Sequence, residues 1–152
     1  MAIIKPGNSL PKSISENSVC VGVENLGTVE TNWGTKHQIE FVFESEATRD
    51  SGYRVNRRQR CNVSFHEKAT LLQFLETWVG RKLEDSEKCL NFALRQVGRQ
   101  AELTIKPAQV GDKVNWNITA VGPSHGDPVA PSGEYRTRKQ WDEYRRAKEA
   151  SV

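Results

Sequence analysis

An arginine-rich stretch holds most of the binding chemistry that this sequence offers. Residues 53–60 contain four arginines and no acidic residue. Alternating residue types predict a strand here, with Arg54, Arg58 and Arg60 on one face. Three guanidinium groups on a polar strand face can bind an anion. The same face carries Asn56 and Asn62, and the opposite face carries Val55, Cys61 and Val63.

Motifs for catalysis are missing from the chain. It has no glycine-rich phosphate loop, no Cys-x-x-Cys pair and no nucleophile elbow. Cys20, Cys61 and Cys89 are an odd number and widely separated, so we expect reduced thiols. The three histidines are too scattered for metal-ligand spacing. We therefore expect no enzyme, no metal site and no other cofactor.

Composition predicts one globular domain in a chain of 152 residues, 36% of them hydrophobic and 27% charged. No apolar run reaches the roughly 18 residues of a membrane span, and the N-terminus lacks an apolar signal core. We expect a cytoplasmic protein with no membrane partner, in the host cytoplasm if a phage encodes it. A net charge of +3 alone does not identify a nucleic-acid binder.

Hydrophobic periodicity predicts five strands, near residues 18–30, 36–45, 53–63, 101–106 and 114–120. A helix is expected from Phe65, capped by Ser64 and Glu67 and stopped by Gly80. Its buried stripe would be Leu71, Leu72, Leu75, Trp78 and Val79. A second helix would bury Leu90, Ala93, Leu94 and Val97 and end at Gly98.

Four segments follow from this reading. They are a flexible lead at 1–17, a domain at 18–123, a Gly/Pro-rich linker at 124–136 and a charged helix at 137–149. The fold class is mainly β. Three strands, a helical insert and two strands match a five-stranded oligonucleotide-binding (OB) barrel with helices between strands three and four. An α+β roll has the same element order, and periodicity alone does not separate the two.

A resemblance to a known family supports the OB barrel over the α+β roll. The ordered segments of residues 18–123 resemble a family of small bacteriophage and prophage proteins regarded as single-stranded-DNA-binding proteins with an OB fold. The segments are VCVGV (19–23), WGTK (33–36), IEFVFE (39–44), VSFHEKATL (63–71), FLETWVGR (74–81), VGRQAEL (97–103) and WNITAVGP (116–123). The resemblance implies sequence-independent binding of single-stranded DNA in replication or recombination.

Such binding needs cations along the phosphates and aromatic faces for the bases. We expect Lys36, Arg54, Arg58 and Arg60 to neutralise phosphates, because the binding face of an OB barrel is formed by the second and third strands and by the loops joining strands one to two and four to five. Trp33 would stack a base, and Tyr53 is a weaker candidate. Two alternatives stay open: Trp33 could fold over the barrel mouth, and the arginines could pair with Glu40 and Glu44.

The competing function is a protein-interaction module of a replication, recombination or polymerase complex. Trp141 and Tyr144 share one face of the predicted C-terminal helix and would anchor a protein groove. We expect that helix to contact replication or recombination proteins, while the domain binds single-stranded DNA. The sequence leaves RNA binding and homo-oligomerisation open.

Overall fold

The computed structural model describes residues 12–150, and of Arg138 it describes the backbone only. The strands are β1 (Ile14–Thr31), β2 (Gly34–Thr48), β3 (Arg54–Asn62), β4 (Gln100–Val110) and β5 (Lys113–Gly122). The helices are α1 (Thr70–Val79), a 3₁₀ turn (Asp85–Glu87), α2 (Leu90–Leu94) and α3 (Arg138–Ala150). None of these helices is long and apolar enough to cross a membrane.

One long strand, β1, organises a single antiparallel sheet with strand order β3-β2-β1-β4-β5. Residues 14–19 of β1 pair with β4, whereas residues 18–31 pair with β2. Irregular pairing at Cys20/Gly22 and at Asn25/Gly27 lets the strand bend between its two partners. The prediction of a mainly β protein with five strands and a C-terminal helix is confirmed. The sheet is not closed, because β3 and β5 form no strand pair.

Alternation along β2 builds the core. Ile39, Phe41 and Phe43 are fully buried on the inner face, where α1 covers them. The predicted stripe of α1 is confirmed, since Leu71, Leu72, Leu75 and Trp78 are buried. Trp78 meets Phe43 edge to face with ring centroids 5.2 Å apart, and its indole N–H donates to the carbonyl of Gln100 at 2.9 Å.

The predicted start of the first helix is wrong. The amide of Val63 still donates to the carbonyl of His37 at 2.8 Å, so the chain leaves the sheet only after this residue. Residues 64–69 then turn, and α1 begins at Thr70 with Ala69 as an N-cap that makes no side-chain bond. Ser64 accepts a bond from the amide of His66 at 3.4 Å instead of capping a helix with Glu67.

The second helix is shorter than predicted. It ends at Leu94, and Val97 is half exposed. The amide of Gly98 donates to the carbonyl of Cys20 at 2.7 Å, which draws the chain onto β1 before another helical turn can form. A capping box that the sequence analysis missed joins Glu84 and Glu87 at the 3₁₀ turn.

The ends of the described chain also differ from expectation. Residues 1–11 of the predicted flexible lead lie outside the described part, and residues 14–17 belong to β1, where they pair with β4. The C-terminal helix is present. Thr137 and Gln140 cap it reciprocally, as predicted, with N···O distances of 2.8 and 3.1 Å.

Candidate functional site

The outer face of β3 carries the predicted arginines, and the neighbouring strands place carboxylates beside them. The register puts Glu24 opposite Glu40, and Glu40 opposite Arg60. Arg58 Nη1 lies 2.8 Å from a carboxylate oxygen of Glu24 and 2.8 Å from one of Glu40. Arg60 Nε lies 3.3 Å from the other oxygen of Glu40. The alternative of cross-strand ion pairing is therefore observed for both arginines.

Arg58 bridges two carboxylates that would otherwise repel each other. Directly opposed like charges destabilise a sheet, and the side chains of Glu24 and Glu40 are only 9% and 7% exposed. Burial lowers the pKa of Arg58, but the hydrogen bonds and charges of Glu40 and Glu24 outweigh burial and raise this pKa above its ordinary value. The guanidinium is thus a structural partner of the sheet.

The other two arginines of the stretch are also engaged. Arg54 Nη1 donates to the carbonyl of Ser45 at 3.2 Å. Arg57, which the sequence analysis did not single out, forms a two-bond pair with Glu16 at 3.1 and 3.2 Å. This pair joins β3 to β1, with the Glu16 side chain 8% exposed. Most of the positive charge predicted on β3 is thereby balanced within the fold.

Residues 129–135, here called the strap, cover part of the outer face of β1 and β2. They lie in the segment predicted to be a linker and form no helix or strand. Gln100 exchanges two hydrogen bonds with the backbone of Val129 at 2.8 and 2.9 Å. The amide of Ser132 donates to Glu44 at 2.9 Å, so within the described residues Glu44 bonds to the strap and forms no ion pair with an arginine. The segment therefore packs onto the domain as well as connecting it to α3.

The strap also fits closely against β1 and the start of β3. A Cβ atom at Gly22 would lie 2.5 Å from the ring of Tyr135, so only glycine leaves room for that ring. Burial and the charge of nearby Glu24 raise the pKa of Tyr135. The amide of Arg54 donates to the carboxylate of Glu134 at 3.0 Å. The outer face is consequently both covered and close to neutral.

A cationic depression lies at the end of β2 and β3, next to the turn at residues 64–69. This depression, here called the mouth, has a volume of about 690 Å³. Lys36, Arg60 and Lys68 line it together with polar and small side chains, and no acidic residue does. Within the described residues, neither Lys36 nor Lys68 takes part in an ion pair. The mouth therefore has uncompensated positive charge.

The structure brings together only some of the predicted binding residues. Lys36 and Arg60 meet at the mouth, whereas Arg54 lies six residues, about 20 Å, away along β3. Lys68 was missed, because the sequence analysis placed it inside a helix. Burial raises the pKa of Cys61, which also lines the mouth, to about 11, so this thiol is protonated at neutral pH.

Trp33 lies at the tip of the β1–β2 hairpin, three residues before Lys36. Its side chain is 88% exposed, which rules out the alternative in which it folds down over the domain. Gly34, with φ at 101°, supplies the left-handed step after the turn. The Trp33 amide donates to Thr31 Oγ1 at 3.1 Å, and this bond holds the turn. Tyr53 is also exposed but lies at the other end of β3.

Trp141 and Tyr144 form an exposed aromatic pair on α3. Their ring centroids are 6.1 Å apart with the planes nearly perpendicular. About half of each residue is exposed, and both line a shallow depression with Arg145 and Lys148. The structure thus brings together the two residues predicted to bind a partner.

Comparison with known proteins adds no relative to this description. Neither models of known protein families nor curated protein sequences gave a match to the chain.

Within residues 12–150, no three His, Cys, Asp or Glu side chains are grouped so that they could hold a metal ion.

Proposed function

We propose that this protein binds single-stranded DNA without sequence preference and acts in replication or recombination. The observation that carries the proposal is the mouth, where Lys36, Arg60 and Lys68 surround a depression that no carboxylate lines. Lysine and arginine side chains that neutralise phosphates release counterions, and this release drives non-specific binding. Trp33, exposed on the adjoining hairpin, offers a face on which a base can stack.

We further propose that the sheet is an open OB barrel. The strand order puts β3 and β5 at the two ends of the sheet, yet residues of both strands, among them Gln59 and Trp116, line one small depression. A bent first strand shared by two ladders and a helix between strands three and four also fit this fold. OB barrels are partly open and bind oligonucleotides near strands two and three and near the loops that join strands one to two and four to five.

The mouth, and not the arginine face, is the phosphate site of this proposal. Arg58 is held by two carboxylates and Arg60 shares one of them, so phosphate contact at Arg58 would disrupt existing ion pairs. Lys36 and Lys68 can contact phosphate without breaking an ion pair of the described residues. Arg60 lines the mouth and contributes from its edge.

The test is a titration of labelled oligothymidine, duplex DNA and RNA at several salt concentrations. The logarithm of affinity should fall with the logarithm of salt by about 0.7 per phosphate contact. Lys36→Ala with Lys68→Ala should lower affinity for oligothymidine and flatten that slope by about 1.4, two contacts at this value. Lys82→Ala with Lys88→Ala is the matched control, because both residues are exposed in the segment between α1 and α2 and neither lines the mouth.

Two results would refute the proposal. One is the lack of oligothymidine binding at low salt, and the other is an equal loss of affinity in the control variant.

An interaction module is the second candidate function, favoured by the exposed Trp141 and Tyr144 pair. It predicts that Trp141→Ala with Tyr144→Ala abolishes capture of a replication or recombination protein and leaves any oligothymidine binding unchanged.

A further inference from the structure

A trough follows the free edge of β3 and begins at the mouth. Thr70 lines both the mouth and a second depression of about 350 Å³ between β3, α1 and β5. Gln59 and Ile118 line this second depression and a third of about 270 Å³ between β3 and β5. Because neighbouring depressions share side chains, they lie next to one another in a row from the cationic mouth toward the other end of β3, and this row is the trough.

The chemistry of the trough changes along its length. No charged residue lines the middle depression. The amides of Gln59 and Gln73 and the hydroxyl of Thr77 line it, together with the apolar side chains of Phe74 and Ile118. Amides both donate and accept hydrogen bonds, and the apolar side chains offer a surface for flat rings. A neutral wall of this kind suits bases better than it suits phosphates.

The outer face of the sheet offers a nucleic acid less than the trough does. The strap covers part of β1 and β2 through its bonds to Gln100 and Glu44. Arg58 and Arg60, which point there, are paired with Glu24 and Glu40. A strand that enters at the mouth therefore finds accessible surface along the edge of β3, where the Gln59 amide donates to the Arg60 carbonyl at 3.1 Å and its oxygen can still accept a bond.

We infer that the trough is a base-binding site, which holds unstacked bases of a single strand whose phosphates lie at the mouth. The inference rests on the proposed function and makes it more specific. Gln59 and Gln73 bond to base edges, while Phe74 and Ile118 contact base faces. Duplex DNA is excluded, because its bases are stacked and paired.

The test compares oligothymidine with an abasic strand of the same length, which has the phosphates without the bases. Wild-type protein should bind oligothymidine at least about fivefold more tightly, since one stacked base contributes about 1 to 3 kcal/mol and 1.4 kcal/mol is tenfold. Gln59→Ala with Gln73→Ala should reduce this preference about threefold or more and leave abasic binding unchanged. The matched control is Asn91→Ala with Gln140→Ala, which removes two exposed amides from α2 and α3, outside the trough.

A second measurement does not depend on affinity. A photo-reactive benzoylphenylalanine at position 73 should cross-link to bound oligothymidine, and the same group at position 91, exposed on α2, should not. Equal affinity for oligothymidine and the abasic strand, or equal cross-linking from both positions, would overturn the base-binding site while phosphate binding at the mouth stands. The same double variant can be tested with a polyglutamate peptide. If the variant weakens binding of this peptide and leaves oligothymidine binding unchanged, the trough binds an acidic peptide instead. Failure of every strand to bind would remove the proposed function and this inference together.

Discussion

Replacing Arg58 with Ala should destabilise the protein more than it weakens nucleic-acid binding. Removing one partner of a buried ion pair costs about 3–5 kcal/mol. Arg58 is 36% exposed, and Glu40 would keep its contact with Arg60, so solvent screening and the second pair reduce the cost. We therefore expect a loss of about 1–3 kcal/mol in the free energy of unfolding, whereas Arg60→Ala should cost less than about 1 kcal/mol because Arg58 still bridges Glu24 and Glu40.

Urea denaturation followed by tryptophan fluorescence measures the stability, and an oligothymidine titration at several salt concentrations measures the phosphate contacts. The variant Arg58→Ala should retain most of the salt slope, because its guanidinium is held by Glu24 and Glu40 in the folded protein. Adding Glu24→Gln should restore part of the lost stability, since the substitution removes one of the two facing carboxylates.

The opposite pair of results would contradict this reasoning. If Arg58→Ala leaves the unfolding midpoint unchanged and lowers the salt slope by about 0.7, one full contact, then Arg58 binds phosphate. The ion pairs would in that case break when the strand binds, and the arginine face would regain the role that the sequence predicted for it.

Three further perturbations test the fold around the site. Leu75→Ala should lower the free energy of unfolding by about 2–5 kcal/mol, measured by urea denaturation, because Leu75 is fully buried where α1 meets the sheet; a loss well below 1 kcal/mol would contradict this packing. Arg81 holds the pKa of Glu87 at about 2, below the ordinary 4.5, so this contact stabilises the fold above about pH 4.5 and is lost as the pH falls toward 2. NMR titration of Arg81→Met should show the pKa of Glu87 rising toward 4.5, and an unchanged midpoint would be evidence against the ion pair. Gly22→Val should displace Tyr135 and the strap, seen as faster hydrogen exchange of strap amides; exchange as slow as in the wild type would show that the ring does not depend on Gly22.

Sequence reasoning predicted those parts of the fold that depend on short-range periodicity. The alternation of Ile39, Phe41 and Phe43 identified β2, and the spacing of Leu71, Leu75 and Trp78 identified the buried face of α1. It failed where a bond from elsewhere in the chain decides the local structure. Ser64 and Glu67 have the spacing of a capping box, but the Val63 amide is bonded to His37 across the sheet. A pattern confined to four residues does not contain that bond.

The candidate site depends even more on contacts that are distant in sequence. The charge on the arginine face is set by Glu24, which reaches Arg58 only through pairing of β1 with β2 and of β2 with β3. The irregular pairing at Cys20/Gly22 fixes which face of β1 carries Glu24, since a slip of one residue would turn that side chain to the other face. Without that irregularity Arg58 would lose a partner and the face would become more positive. Whether a basic strand binds phosphate or stabilises its own sheet is therefore decided by register. Among the described cations that line the mouth, Lys36 and Lys68 are the two without an ion pair.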